Sequence, residues 1–360
     1  MPGQTEYGLR RERLARSLKP ARVDALVVTA LPNVRYLSGF TGSNGLLLVT
    51  RDRELLFTDP RYQTQAPQES DCDVKIAKGP LVPEVLKWVK RLKLRTVGFE
   101  RNRVSYETYT ALKANAADVR LKPLDGVVER LRMLKSPAEI AAIRASVQLN
   151  SEALEQALRR FNRRMTEIDL AAEIEYRMRR LGADGPAFDT IVASGSRTAL
   201  PHAHPSERTI QANKLLLVDM GAAVAGYASD MTRTYAVGKL EPRAQRMYRA
   251  VLESQLAAID AVQPGVTCAS VDRAARQVLR KYGLDKLFIH STGHGLGLEI
   301  HESPRVGRKE ETKLDAGMVI TIEPGVYAEE FGGIRIEDTV AVTAHGSDIL
   351  TPTGKELVVL

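Results

Sequence analysis

Asp219, Asp230, His294, Glu323 and Glu337 lie in order along the C-terminal half of the chain, each inside a strand-like or glycine-rich segment. The segments are LLLVDMGAAVAGYASDMT, STGHGLGLEIHE, TIEPGVY and IRIED. A fold that gathers four acids into one pocket leaves them repelling one another and taking up protons unless cations hold them. Two divalent cations carry as much positive charge as four carboxylates carry negative. The chain therefore reads as a dinuclear metal enzyme whose fold must bring these distant segments together.

Spacing gives the geometry of the first pair. Leu215 to Val218 is an apolar run, Met231 to Val237 reads as a strand, and Ala223, Val224, Ala225 and Gly226 supply the turn between them. A hairpin centred there sets Asp219 directly opposite Asp230, with Cβ atoms about 4.5–5.5 Å apart. That suits carboxylates sharing cations spaced about 3.5–4 Å apart. The second pair follows similar logic. Glu323 ends the apolar strand Met318 to Ile322, before the turn signal Pro324-Gly325. Alternation in Ile334-Arg335-Ile336-Glu337 puts Arg335 and Glu337 on one face and the isoleucines on the other. Arg335 is then placed as a clamp beside a ligating carboxylate. Taken alone, the two also fit an ordinary strand-surface ion pair.

At 360 residues and 44% hydrophobic, with no low-complexity stretch, the chain is globular and long enough for two domains. The N-terminus is charged and helix-like, and no apolar run is long enough to span a bilayer, so a cytoplasmic protein without membrane association is expected. Cys72 and Cys268 lie far apart with no CxxC spacing, which argues against a disulfide framework or a structural zinc site. A net charge of +8 raises nucleic acid as a partner. The basic residues sit in helix-like stretches interleaved with glutamates, however, and aromatics make up only 5% of the chain. Solvated helix faces explain the charge better than a stacking surface does.

The first third alternates strands (Asp24 to Ala30, Gly45 to Thr50, Glu54 to Thr58, Cys72 to Ala77, Thr96 to Glu100) with helices (Arg10 to Leu18, Pro83 to Leu94, Ser105 to Asn115). It carries no GxGxxG or Walker loop. A boundary falls near Leu131 to Ser136, where Ser136-Pro137-Ala138-Glu139 forms a capping box and opens a helix running towards Arg160. Further helices are expected from Thr166 to Gly182, from Pro242 to Val262, and from Ser270 to Tyr282 with Gly283 at the C-cap. Helices around a largely antiparallel sheet make this an α+β catalytic domain.

Five of the six histidines fall in two clusters. His202 and His204 occupy the proline-bounded loop Leu200 to Pro205, and His290, His294 and His301 bracket Gly293 to Gly297. His204 and His345 read as ordinary surface histidines. Glycines on both sides of His294 would let its backbone approach a ligand or metal closely. Oxygen ligands with one imidazole suit manganese, cobalt, iron or zinc. Such a centre generates hydroxide near neutral pH, which points to hydrolysis.

In this order and context the five residues resemble those of the pita-bread metallopeptidases, and within them the Xaa-Pro peptidases: aminopeptidase P and Xaa-Pro dipeptidase (prolidase). The resemblance covers nearly the whole chain. Tyr36 to Gly45 and Thr58-Asp59-Pro60-Arg61-Tyr62 resemble the creatinase-type N-terminal domain, with Pro60 standing where many relatives have glycine. Leu200 to Ala203 and His294 to Glu302 resemble the catalytic loops. The implied fold is α+β: a creatinase-like α/β domain over 1–131, then a pita-bread catalytic domain over 132–360 with a curved, largely antiparallel sheet flanked by helices.

The implied activity is hydrolysis of Xaa-Pro peptide bonds by a hydroxide activated by two divalent cations, Mn2+ ahead of Co2+, Zn2+ or Fe2+. Asp219 would hold one metal, Asp230 and Glu337 would bridge both, and His294 with Glu323 would complete the second. The resemblance makes Glu323, His202, His301 and Arg335 the catalytic set. Glu323 would move the proton, the two histidines would steady substrate and oxyanion, and Arg335 would stand beside the bridging glutamate. His290 would line the proline pocket, and Tyr327 would join it in binding substrate from a position near Glu323. Arg305 matches a position that binds a dipeptide's C-terminal carboxylate, and an ordinary surface arginine is the alternative there. The implied partners are a proline-containing dipeptide or oligopeptide and a second copy of the chain in a homodimer. A metal-independent creatinase-like hydrolase and a non-catalytic pita-bread binding module are the rival classes. The complete ligand set speaks against both, and the N-terminal domain speaks against a methionine aminopeptidase.

Overall fold

The computed structural model describes residues 5–116 and 118–360. The chain divides into two compact units, Met1–Arg132 and Met133–Leu360. In the first, six strands pair in the order Asp73–Ile76, Glu54–Thr58, Gly45–Thr50, Ala25–Val28, Thr96–Glu100, Arg120–Leu124. Ala25–Val28 runs antiparallel to Gly45–Thr50 and parallel to Thr96–Glu100, so the sheet is mixed. The two central strands are apolar runs buried along their whole length, as expected where both faces of a sheet are covered. The helix Leu81–Arg91 contributes to the cover with Leu81, Val82, Val85, Leu86 and Val89, a spacing of three and four that makes one apolar face.

Several elements of this unit have no counterpart in the sequence pattern, among them the helices Gln65–Glu69 and Val127–Met133, and two show why. The helix Leu31–Ser38 is short; Pro32 occupies its first turn and Gly39 ends it at φ +80°. A Cβ at Gly39 would lie 2.6 Å from the Glu69 carbonyl oxygen, so the cap also permits close packing. The edge strand Arg120–Leu124 carries basic residues and Pro123, a composition that protects an edge and obscures a strand signal.

The second unit opens with the helix Pro137–Leu158, whose capping box is present: Glu139 N donates to Ser136 Oγ, and Ser136 N donates to the Glu139 carboxylate. Thr166 and Asp169 cap Glu167–Arg180 in the same way. The helices Pro242–Asp260 and Cys268–Lys281 follow, the latter ending just before Gly283 at φ +71°. Every pairing between named strands of this unit is antiparallel. One sheet orders Met231–Val237, Lys214–Met220 and Ile191–Ser194; another orders Glu302–Val306, Gly293–Gly295, Val319–Ile322, Asp338–Val342 and Ser347–Ile349. Ile174 and Met178 pack with Leu216, Val218 and Met231 in one apolar cluster. Val251, Val271 and Leu279 pack with Ile320, Ile322, Ile334 and Ile336 in another. The acid-bearing strands lie between helical layers. No described helix is long and apolar enough to cross a membrane.

Candidate metal centre

The hairpin carrying the two aspartates turns at Ala225 and Gly226, with φ of 48° and 75°. Positive φ at both central residues defines a two-residue turn of the type that suits strand twist. The ladder pairs Val224 with Tyr227 and Ala223 with Ala228, then Met220 with Met231 and Asp219 with Thr232. Asp219 therefore faces Thr232, not Asp230. The expected register is corrected by two residues, because the turn lies one residue later than the apolar spacing indicated. A shift of two keeps each side chain on its original face. Asp230 sits just before the first ladder pair, on the Asp219 face and diagonal to it.

Asp230, His294 and Glu337 offer ligand atoms that all lie within 4.8 Å of one another. His294 Nε2 stands 3.5 Å from Asp230 Oδ2 and 3.6 Å from Glu323 Oε1. Its Nδ1–H donates to the Gly295 carbonyl at 3.0 Å, which turns Nε2 towards the acids. The flanking glycines permit close strand packing. A Cβ at Gly293 would lie 1.9 Å from the Thr321 carbonyl oxygen, and one at Gly295 would lie 2.4 Å from that of Ser303. They let neighbouring strands close around His294. Thr232, which the sequence reading left unnamed, donates its hydroxyl to Glu337 at 2.7 Å and accepts from Arg335 Nε at 3.0 Å. Its position two residues after Asp230 on a strand was the available signal.

Burial with few donors makes the acids hold protons. Desolvation, then the Asp219 charge, raises Asp230 to about 6 against the relief given by His294. Desolvation raises Glu323 to about 7, and Glu337 lies well above the usual carboxylate range for the same reason. Burial alone would lower His294, but its hydrogen bond to Asp230 and the charges of Asp230 and Glu323 raise it to about 9. Asp219 Oδ1 and Glu337 Oε1 are buried with no hydrogen-bond partner among the described residues. Buried carboxylate oxygens left without donors are costly. Two orphaned oxygens, three acids pushed towards protonation and an imidazole nitrogen aimed among them fit a divalent-cation centre.

Around this cluster Arg335, 3% exposed, donates to Asp219 and, at 2.7 Å, to the Tyr327 hydroxyl. Arg335 is thus ion-paired with Asp219 and meets Glu337 through the shared Thr232 hydroxyl, while Ile334 and Ile336 point into the core. The His290 Nδ1–H donates to the Ser291 carbonyl, so its Nε2 accepts from Tyr327 at 2.9 Å. Burial, then the Arg335 charge, lowers His290 to about 4 and keeps it neutral. Burial raises Tyr327 to about 12. His301 packs its ring on His294 with centroids 4.4 Å apart. His202 and His301 are exposed, and the His202 charge adds to the effects of burial and His294 in lowering His301. Arg305 is exposed on the strand Glu302–Val306, opposite His294. His204 and His345 are exposed.

Residues 141–344 match metallopeptidase family M24, and residues 10–134 match the Creatinase/Prolidase N-terminal domain. An Xaa-Pro dipeptidase of Pyrococcus furiosus is 38% identical over 350 residues, spanning 97% of this chain and 99% of the relative. The structure of an Xaa-Pro dipeptidase from Bacillus anthracis aligns with a TM-score of 0.96 at 37% identity, covering 98% of this chain and 100% of that one. An X-Pro aminopeptidase from Thermotoga maritima aligns at 0.90 and 36% identity, covering 96% and 100%.

Proposed function

Since the chain belongs to metallopeptidase family M24, we propose that it is an Xaa-Pro dipeptidase that uses two divalent cations, manganese first among them. The observation that carries this reading is the convergence of Asp230, His294 and Glu337 beside orphaned oxygens of Asp219 and Glu337, in a chain alike over nearly its full length to an enzyme of that name. Asp219, Asp230, His294, Glu323 and Glu337 would hold the cations, which supply hydroxide near neutral pH by lowering the pKa of bound water. Glu323 would accept the proton and pass it to the imide nitrogen that leaves as proline. His202 and His301, exposed at the edge of the cluster, would donate to the carbonyl oxygen as charge develops there. Neutral His290 and the Tyr327 hydroxyl would bound the proline ring, and Arg335 would hold the Asp219 carboxylate in place and Tyr327 oriented. Arg305 would meet the substrate's free carboxylate with its guanidinium fork. We place the domain boundary at 131/132 and take the working form to be a cytoplasmic homodimer, in keeping with two free, buried cysteines.

The likeness to an X-Pro aminopeptidase supports a second reading in which longer chains are cut. The test compares an Xaa-Pro dipeptide with an Xaa-Pro-Yaa tripeptide under added manganese, for the wild type and Arg305→Ala. A dipeptidase prefers the dipeptide and loses that preference in the variant. Tripeptide cleavage that outpaces the dipeptide in both proteins selects the aminopeptidase, and inertness towards both rejects the reading.

A further inference from the structure

Backbone alternation places Thr232, in the strand Met231–Val237, and Glu337, just before the strand Asp338–Val342, on the cation side and sends Arg233 and Asp338 to the opposite side. Arg233 is 2% exposed and Asp338 is fully buried. Arg233 Nη2 donates to Asp338 Oδ1 at 2.8 Å, and Nη1 donates to the backbone carbonyl of Glu337. Glu337 is therefore held at both ends, its carboxylate by Thr232 and its carbonyl by Arg233. Nη1 also donates to the Thr232 carbonyl at 2.9 Å, and the two remaining Arg233 donors leave the strands. Nε reaches the Gly354 carbonyl at 2.9 Å and Nη2 reaches the Thr353 carbonyl at 2.6 Å.

The C-terminal segment completes the arrangement. Lys355 Nζ donates to Asp338 Oδ2 at 2.7 Å and to Gln255 Oε1 at 3.2 Å, while Gln255 donates to the same carboxylate oxygen at 2.8 Å. The Tyr248 hydroxyl fixes the Lys355 carbonyl at 2.9 Å. Beyond it, Ala236 N donates to Val358 O and Leu360 N donates to Ala236 O, so the last residues bond to the strand Met231–Val237. Two cations thus surround one buried carboxylate directly behind a cluster of acids. Burying charged groups in this way is costly and weak evidence for stability, so specificity of placement is the more economical reason for it.

We propose that Lys355 is a positioning residue: acting through Asp338 and Arg233, it fixes Glu337, so that the C-terminal segment Thr353–Leu360 sets the cation affinity of the centre. This rests on the metal-centre reading above. Groups that orient a ligand from outside its coordination sphere change metal affinity by roughly 10–100-fold when removed, and the longer path from Lys355 puts the expected loss near the lower figure. The Lys355→Met variant keeps Arg233 and Gln255 on Asp338, so no buried charge is left without a partner.

The test is calorimetric titration of Mn2+ into chelator-stripped full-length protein, with the thermal midpoint recorded alongside. Lys355→Met is expected to bind roughly tenfold more weakly than wild type, and Lys355→Arg to recover within about threefold. Should Lys355→Met not fold, Gln255→Met removes the neighbouring donor without changing charge and should weaken Mn2+ binding in the same direction. A wild type that binds Mn2+ with variants that bind it equally, even at a lower thermal midpoint, overturns the positioning role and leaves the hydrolase reading standing. A wild type that binds no divalent cation overturns both.

Discussion

Glu337 shows in one side chain how the centre is built. One carboxylate oxygen takes the Thr232 hydroxyl and the other is buried with no donor among the described residues. Asp230 is poised similarly, diagonal to Asp219 and within reach of His294. Asp230→Asn removes a charge at nearly constant shape, and we expect it to weaken Mn2+ binding by more than about 100-fold and to abolish Xaa-Pro hydrolysis. Calorimetry and proline release check the two effects separately, and normal turnover by the variant would sink the mechanism. The protonation of these groups has a second consequence. Asp230 and Glu323 hold protons up to about pH 6 and 7 in the cation-free chain, and a cation must displace them. Mn2+ affinity should therefore fall as pH drops from 8 to 5, by up to about tenfold per pH unit for each proton displaced. Titrations in two buffers of different ionisation enthalpy report the released protons, and an affinity flat across that range would contradict the assignment. Residue identity was the most legible level of this chain. Acids, imidazole and glycines can be read directly, whereas the Thr232 hydroxyl gains importance only from what folds over it.

Elements were legible where they carry their own punctuation. The Ser136–Glu139 capping box opens its helix as read, and Gly283 follows the helix Cys268–Lys281 in the left-handed conformation. The short helix at Leu31–Ser38 and the edge strand at Arg120–Leu124 lack a long periodic run and went unread. The hairpin is the most instructive case. Its residues identify a turn, but one residue of uncertainty in the turn moves the pairing by two. Both registers bury the same apolar face, so the hydrophobic pattern cannot choose between them, and the left-handed backbone at Ala225 and Gly226 sets the one observed. Ala225 occupies the first left-handed position of that turn, where asparagine is favoured before glycine. Ala225→Asn should stabilise the protein by about 0.5–1 kcal/mol by relieving the strain of an alanine at positive φ. Chemical denaturation measures this, and a loss of stability would argue against the turn described.

At the scale of the molecule, the proposed reading gives stability and function the same acids. Carboxylates drawn into one cluster with little solvent oppose folding unless cations neutralise them, so on that reading chelation should lower the thermal midpoint and Mn2+ should restore it. At a free cation concentration one hundredfold above Kd the gain is about 2.7 kcal/mol per site, which for a unit of this size is several degrees. Scanning calorimetry with and without chelator checks it, and a midpoint indifferent to both would mean that the cluster binds no cation. The sequence by itself determined the chemistry on offer: which side chains carry charge, which glycines stand beside His294, and which strands and helices frame them. Tertiary structure alone decided which oxygens are left without donors, that Asp219 faces Thr232, that the glycines serve strand packing, and that Lys355 reaches the back of the Glu337 strand. The physical reason is range. Composition and periodicity are local properties of a chain, whereas desolvation, ladder register and hydrogen bonds between residues a hundred positions apart exist only once the strands have met.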